Sequence, residues 1–329
     1  MSKMEFAPLP ENDFENYDAL VDESMEGTIF HKSWWFKIFT DSEGINADRF
    51  EIFGAYNNGI VMAGFPIPYK KKLGQRWIIN PRLTPYSGTV FKPGGSQKYH
   101  TENSFRKDVN TNFARIIRPF GTCLYYPFNV SSMDLQPFLW SDYCPKIHYT
   151  YILKLDSLDS VWSNIARKRR NDIKSSMKNG FQVTTGDIKT FTRLNDCTMK
   201  RQGHGRISSQ MWEKIYAVCK SKGCAEIFTT FIGDDALASL LLVWDKKRSY
   251  YIGGGIDGNS RGGMPFLIWE AIKYTREHLG LNEFDFEGSS VPGIEFFFRN
   301  FGGELRPFFG ITDRKVDLAM NLVKIVKIK

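Results

Sequence analysis

The stretch AEIFTTFIGDDALASLLLVWDKKRSYYIGGGIDGNSRGGMPFLIWEAIKYTREHLGLNEFDF, residues 225–286, decides how the chain folds. Ala225–Ile232 is rich in β-branched and aromatic residues, Asp234-Asp235 marks a turn, and Ala236–Trp244 runs back. Asp245-Lys246-Lys247 turns again into Ser249–Ile256. Strands joined by short polar turns read as antiparallel hairpins. A glycine-rich loop, Gly253–Gly263, then leads to Pro265. Proline suits the first turn of a helix, where its missing N–H has no intrahelical partner to lose. Leu267, Ile268, Ala271, Ile272 and Tyr274 recur at helical spacing, and Gly280 closes the helix. Glu283–Phe286 is a short buried strand. Beyond it, Pro292 opens a second helix that ends at Gly302-Gly303, and Glu304–Ile311 is a last strand.

The N-terminal half repeats this order with little visible identity. Arg49–Tyr56 and Ile60–Tyr69 flank Asn57-Asn58-Gly59, a strong hairpin signal. Lys70-Lys71-Lys72 and Gly74 turn into Arg76–Asn80. A helix over Thr101–Arg118, a strand Thr122–Phe128, a short helix Ser132–Leu139 and a strand Ile147–Leu155 follow. Each half therefore reads as two hairpins, a helix, a strand, a helix and a strand. Two further helices are predicted between the halves. One covers Leu158–Lys178, with Asp156 or Ser157 as its cap and Gly180 at its end; the other covers Ser208–Lys220. The expected fold class is α/β (α+β): two tandem domains, 1–155 and 156–329, with mixed, mostly antiparallel sheets flanked by helices.

A chain of 329 residues supports two cores. Its hydrophobic fraction of 42% and charged fraction of 24% are those of a globular protein. No run approaches the ~20 apolar residues that span a bilayer. Met1–Pro10 has no apolar run or cleavage signature, so no signal peptide is expected there. The five cysteines are scattered, without a CxxC pair or a Cys/His cluster. Neither a disulfide framework nor a zinc site is expected, and a cytoplasmic location is. The net charge of +8 points to an acidic partner: a phosphate-bearing small molecule, tRNA or an anionic membrane surface.

Four constellations carry candidate chemistry. The segment Leu158–Lys178 places Arg170, Lys174 and Lys178 at i, i+4 and i+8, with Arg167 one turn earlier. Like charges at that spacing cost a few tenths of a kcal/mol per pair. An anion lying against the stripe relieves that cost, and solvent is the alternative. The loop Gly253–Gly263 before a helix has the chemistry of a pyrophosphate cradle. It lacks the Gly-Lys-Ser/Thr ending of a Walker A loop, and no βαβ unit is evident around it. Phe284-Asp285-Phe286-Glu287 alternates faces, which leaves Asp285 or Glu287 as a general base or as the cap of the following turn. His204 sits between glycines in a loop, and no catalytic triad assembles around it.

Several segments together resemble a known family. They are Thr28-Ile29-Phe30-His31 with Trp34; Leu83-Thr84-Pro85-Tyr86-Ser87-Gly88; Arg169-Arg170 with Ile173-Lys174; Arg201-Gln202-Gly203; Tyr251-Ile252-Gly253-Gly254; Leu267–Ile272; Asp285-Phe286-Glu287-Gly288; and Phe297 with Phe301-Gly302-Gly303. Their order over nearly the whole chain resembles the FemAB-type peptidoglycan aminoacyltransferases and their tandem GNAT-like relatives. The resemblance implies two GNAT-like domains and an acyltransferase that forms an amide on an amine of a phosphate-bearing cell-wall or surface-polysaccharide precursor. It implies no bound cofactor and no metal, with acyl-CoA or aminoacyl-tRNA as donor. On this reading Arg167, Arg170, Lys174 and Arg201 meet the acceptor's phosphates and Tyr86 lines the cleft. Arg261, Gly262 and Gly263 face the donor, and Glu287 and Arg299 are the catalytic candidates. The family usually carries lysine directly after the phenylalanine of Phe-Lys-x-x-Phe-Gly. Here that place holds Phe298, and Arg299 comes one residue later. The alternatives are a coenzyme A-dependent N-acetyltransferase acting on a nucleotide amino sugar and a non-catalytic RNA-binding protein. Neither transmembrane segment nor fixed oligomeric state is predicted, and peripheral membrane contact is a further candidate interaction.

Overall fold

The computed structural model describes residues 4–40, 48–94, 98–203, 205–258, 262–288 and 291–328, with side chains described up to 321. The chain divides into two units. Unit 1 comprises Met1–His148 and Pro307–Lys329, and unit 2 comprises Tyr149–Arg306.

Unit 1 opens with β1 (Glu5–Pro8), α1 (Phe14–Glu23) and α2 (Ser33–Thr40). The antiparallel run β2 (Asp48–Asn57), β3 (Ile60–Lys72) and β4 (Gln75–Ile79) follows, with the short β5 (Val90–Phe91) on β3. Then come α3 (Tyr99–Phe120), β6 (Thr122–Pro127), α4 (Gln136–Trp140) and the first half of β7 (Tyr143–Lys154). β6 lies parallel to β4, with α3 as the crossover helix. Alternation along β3 sends Phe65 and Ile67 inward, where Phe65 stacks on Phe113 at 5.0 Å and Tyr126 at 4.9 Å. Each such fully buried side chain contributes about 1.5–3 kcal/mol.

Unit 2 holds the second half of β7, α5 (Leu158–Asn164), α6 (Arg167–Lys178), β8 (Gln182–Thr185), α7 (Ile188–Gln202) and α8 (Ser209–Ser221). The meander β9 (Ala225–Ile232), β10 (Asp235–Trp244), β11 (Ser249–Ile256) is followed by α9 (Gly263–Lys273) and a π-helical turn, Tyr274–His278. β12 (Glu283–Asp285), α10 (Pro292–Arg299) and the start of β13 (Glu304–Asp313) complete it; α11 (Arg314–Ile328) belongs to unit 1. α9 is apolar almost all round, and Met264 through Trp269 are buried in the core with Leu240, Leu242, Phe284 and Phe301.

The predicted repeat is present. β2-β3-β4-α3-β6-α4-β7 and β9-β10-β11-α9-β12-α10-β13 have the same order. Four expectations need correction. First, the segment expected as one helix over 158–178 is two. Ser157 caps α5, but Ile165 and Ala166 are extended, and the Ala166 N–H donates to the Asn300 carbonyl instead of continuing the helix. Second, β11 and β12 are parallel neighbours joined through α9, so a βαβ unit does follow the meander. Third, Gly253–Gly255 lie in β11, whose bounds are those of the predicted strand Ser249–Ile256, so the glycine-rich loop is shorter than Gly253–Gly263. Fourth, the expected domain limits of 1–155 and 156–329 differ from the observed units. The chain passes between units inside β7 and again inside β13. β7 pairs with β12 in unit 2 (Leu153↔Phe284), and β13 pairs with β6 in unit 1 (Ile311↔Tyr126). The closing strand of each half thus completes the sheet of the other. Periodicity reports which face of a strand is apolar and is silent on which strand lies beside it. β1, α1, α2, β8, α7 and α11 were not anticipated.

Candidate functional site in unit 2

β11 and β12 pair through two residue couples, Ser249↔Phe284 and Tyr250↔Asp285. Beyond Tyr250, β11 continues along β10 to Ile256 but leaves β12, while Phe286 donates its N–H to the Tyr151 carbonyl on β7. A register shift in β11 opposite Leu241/Leu242 marks the place where the strands part. Two parallel strands that separate while each keeps its outer neighbour leave an opening in the sheet. The backbone groups lining it have no ladder partner across the gap.

The end of β12 is at this opening. Asp285 is 0% exposed. Its Oδ1 accepts from Thr150 Oγ1 at 2.6 Å and from the Glu287 N–H at 2.8 Å, and its Oδ2 lies 3.7 Å from Arg248 Nη1. Arg248 also bonds Glu283 at 2.8 Å. Asp285 is therefore an anchor that fixes the turn after β12. That turn carries Glu287 at φ +57, a left-handed conformation that is uncommon for residues other than glycine. Gly288 follows at φ +71, where a Cβ would stand 1.9 Å from the Tyr149 carbonyl oxygen. Glu287 Oε1 is buried with no hydrogen-bond partner among the described residues. Burial, and then the neighbouring Asp285, push the Glu287 carboxyl well above the usual glutamate range. A strained backbone that holds a desolvated acid beside a fixed one marks a functional-site candidate.

The glycines of β11 are set by packing. A Cβ on Gly253 would come within 2.7 Å of the Trp212 ring, and one on Gly255 within 2.2 Å of the Leu194–Asn195 backbone. Asn195 Nδ2 bonds the Gly254 carbonyl at 2.9 Å, which locks α7 onto the strand. The loop proper begins at Asp257. Arg201 lies beside it, its Nη1 3.7 Å from where a Gly258 Cβ would be. Gly262 is the left-handed N-cap of α9, and its carbonyl accepts from Ser176 Oγ of α6 at 3.1 Å. Among the described residues no side chain caps the first N–H groups of α9, so Gly263 presents a helix N-terminus suited to a phosphate. Arg261, His204 and the residues 259, 260 and 289 lie outside the described residues.

The other predicted residues are placed as follows. On α6, Arg167 and Lys174 are exposed. Arg170 is instead turned onto α5, where Nη1 donates to the Ser163 carbonyl at 3.1 Å and the Trp162 carbonyl at 3.4 Å. Its Nη1 thereby caps the last turn of that helix. The variant R170A is expected to lose about 1–2 kcal/mol of stability in chemical denaturation; an R167A control should stay near wild type. Arg299 is 57% exposed, 3.6 Å from Glu295, which itself accepts from Tyr151 Oη at 2.6 Å. Nothing places Arg299 at the strand opening. Tyr86 is wholly buried in unit 1, with Phe30 at 6.1 Å and Phe308 at 5.3 Å, so it lines no open surface. The Thr28–His31 segment is likewise structural: Thr28 Oγ1 and His31 Nδ1 are 2.8 Å apart in a buried turn.

Three groups escaped the sequence reading. Thr150 and Arg248 anchor Asp285 from positions remote in sequence, and no local pattern marks them. Arg169 points the opposite way from the stripe, 3.0 Å from Asp172 and 4.5 Å over the Phe297 ring. Its cue was its place one residue before Arg170, which on a helix turns it by about 100°.

Residues 164–299, which lie within unit 2, match the family model described as acetyltransferase (GNAT) domain. Among solved structures, the chain is similar to FemX, with a TM-score of 0.69 at 16% identity over 93% of this chain and 96% of that one. It is also similar to L-PGS from Bacillus licheniformis, with a TM-score of 0.57 at 11% identity over 95% and 96% of the two chains. A tandem GNAT protein from the clavulanic acid biosynthesis pathway gives 0.52 at 12% identity over 94% and 98%. No match to a curated protein was found. The fold is a mixed α/β one with tandem GNAT-like domains, and FemX is similar to it. Among the described residues, no helix is long and apolar enough to cross a membrane.

Proposed function

We propose that this tandem GNAT-like chain is an acyltransferase that forms an amide on an amine of a phosphate-bearing cell-wall or surface-polysaccharide precursor, with the chemistry in unit 2. The observation that carries the reading is the parting of β11 from β12 beside Glu287, whose Oε1 is buried without a partner among the described residues. The amine nitrogen attacks the activated carbonyl, the new C–N bond forms and the bond to the leaving group breaks. Glu287 takes the proton released by the nitrogen, and the leaving group is protonated in turn. Its raised pKa makes it a strong base once ionised. A backbone N–H of β11 at the point where it leaves β12 is the proposed donor to the developing oxyanion. Gly262 and Gly263 at the start of α9, with Arg201 beside Gly258, suit the phosphates of the donor. Arg167 and Lys174 remain the cations for the acceptor's phosphates.

The donor is an acyl thioester of coenzyme A or an aminoacyl ester of tRNA. One observation favours the thioester. Phe298, in the place where the resembling family carries lysine, is 5% exposed and packs on Phe286 at 4.9 Å and Tyr251 at 5.7 Å. No cation at that place meets a nucleic-acid phosphate. The same observation supports the second reading, a coenzyme A-dependent N-acetyltransferase on a nucleotide amino sugar. Incubation with acetyl-CoA or with mixed aminoacyl-tRNA, each with UDP-linked sugar precursors, and mass spectrometry of the acceptor tests both. An added acyl mass on the amine only with acetyl-CoA identifies a thioester donor. An aminoacyl mass restores the tRNA-dependent route. Absence of both products rejects the reading. The double variant R167A/K174A is expected to raise the acceptor KM about tenfold or more with kcat little changed.

A further inference from the structure

Two hairpins of unit 1 use one turn with different residues. The β2–β3 turn is Asn58-Gly59, at φ 50 and 77; the β3–β4 turn is Leu73-Gly74, at φ 51 and 76. Asparagine tolerates the left-handed conformation because its short amide bonds locally, and Asn-Gly is the favoured pair for such a turn. Leucine gains nothing from it and is strained there. Leu73 is also 94% exposed, so it contributes nothing to a core. Its neighbours add a second cost. Lys71 stands directly across the hairpin from Arg76, a like-charge pair that destabilises the ladder. Lys71 and Lys72 are exposed and make no ion pair among the described residues. An apolar tip ringed by cations is unfavourable in water. It becomes favourable where an apolar layer lies beneath an anionic one.

A groove of about 670 Å³ begins at this tip, with Gly74 and Gln75 in its wall. Its charged lining is Arg76, Arg118, Arg314 and Lys315 against Asp142 and Asp313. Arg314 is held by Asp142 at 2.7 Å, and Asp313 accepts from the Cys123 N–H at 2.8 Å, so both acids are engaged within the fold. Arg76 lies 4.4 Å over the Phe120 ring and 3.6 Å from Glu51, so it too is engaged within the fold. Arg118 and Lys315, which make no ion pair among the described residues, extend the positive field of the tip into this concave surface.

We infer that the β3–β4 hairpin docks unit 1 on an anionic phospholipid surface. Leu73 enters the boundary between headgroups and acyl chains, Lys71 and Lys72 lie among the headgroup phosphates, and the groove takes one headgroup. The inference does not rest on the chemistry proposed for unit 2.

Co-sedimentation of the full chain with phosphatidylcholine vesicles, with and without about one third phosphatidylglycerol, tests it at ~0.1 M salt. The wild type is expected to partition onto the anionic vesicles and to remain in solution with the neutral ones. L73N, which copies the turn at Asn58, is expected to melt at or above the wild-type temperature and to partition at least about fivefold less. K71E/K72E is expected to partition at least about 25-fold less. Acyl transfer to a soluble acceptor should be the same in L73N and wild type, so failure here leaves the reading of unit 2 standing. Equal partitioning of L73N and wild type overturns the proposal, as does equal binding to neutral and anionic vesicles. Salt-dependent binding of total tRNA without vesicle binding also overturns it and assigns the patch to nucleic acid.

Discussion

The variant E287Q is expected to lower kcat/KM by about 10²–10⁴, the usual contribution of a positioned general base, with little loss of fold. Glutamine keeps the shape of the side chain, and its amide carries no charge to desolvate. The pH profile separates a base from a merely structural residue. Burial and Asp285 hold the Glu287 carboxyl protonated well above the ordinary value of 4.5. Activity that needs the carboxylate therefore falls as pH drops through that raised pKa, and this acid limb should be absent in E287Q. A profile in E287Q with the same limb, at any rate, would assign the base elsewhere. Stability runs in the opposite sense. The folded state binds the proton more tightly than the unfolded state, so stability is undiminished below about pH 4.5 and declines as pH rises through the folded pKa. E287Q escapes that decline. Its melting temperature should gain on the wild type as pH rises above about 4.5.

Loss of Asp285 should have the largest effect on stability. D285A removes the acceptor of the Thr150 hydroxyl and the Glu287 N–H, and the carboxylate that faces Arg248. Truncating one member of a buried charged cluster costs about 3–5 kcal/mol, because the remaining groups are left desolvated without a partner. For a unit of this size that is roughly 6–20 °C in melting temperature. D285N should be milder in stability, since an amide oxygen still accepts a hydrogen bond. It should also move the acid limb of the activity profile down, because the negative charge that helps raise the Glu287 pKa is gone. A limb that stays in place in D285N would show that burial alone sets it. If D285A melts like the wild type, the turn after β12 is held by something other than this cluster.

These two outcomes together test whether one motif has two functions. Alternation in the sequence puts Asp285 and Glu287, two residues apart, on one face, but β12 ends at Asp285 and Glu287 lies in the turn beyond it. The fold separates them. One is fixed by donors from β7 and from the turn before β11, and the other is left with a buried oxygen that nothing in the described structure satisfies. Environment, rather than residue type, assigns anchor and base.

The repeated order of strands and helices was legible from residues 225–286 outward. Alternation, helical spacing and turn residues are local properties, and in both meanders they agree with one another. Glu287, the residue after that stretch, was a candidate as a carboxylate at the end of a strand. The break at Ile165-Ala166 was not legible, because the residues there suit a helix and the competing bond comes from the Asn300 carbonyl. The true role of Gly253–Gly255 was hidden too. Whether glycine serves a ligand or makes room for a helix depends on what packs above it, here Trp212 and Asn195. Tyr86 and Arg170 looked like binding residues by type. Burial withdrew the first, and the carbonyls of α5 claimed the second. The exchange of closing strands between the two halves, and the opening between β11 and β12, arise from pairing over long separations. Local sequence pattern fixes which side of each strand is apolar, but only the assembled sheet decides which strands become neighbours and where two of them part.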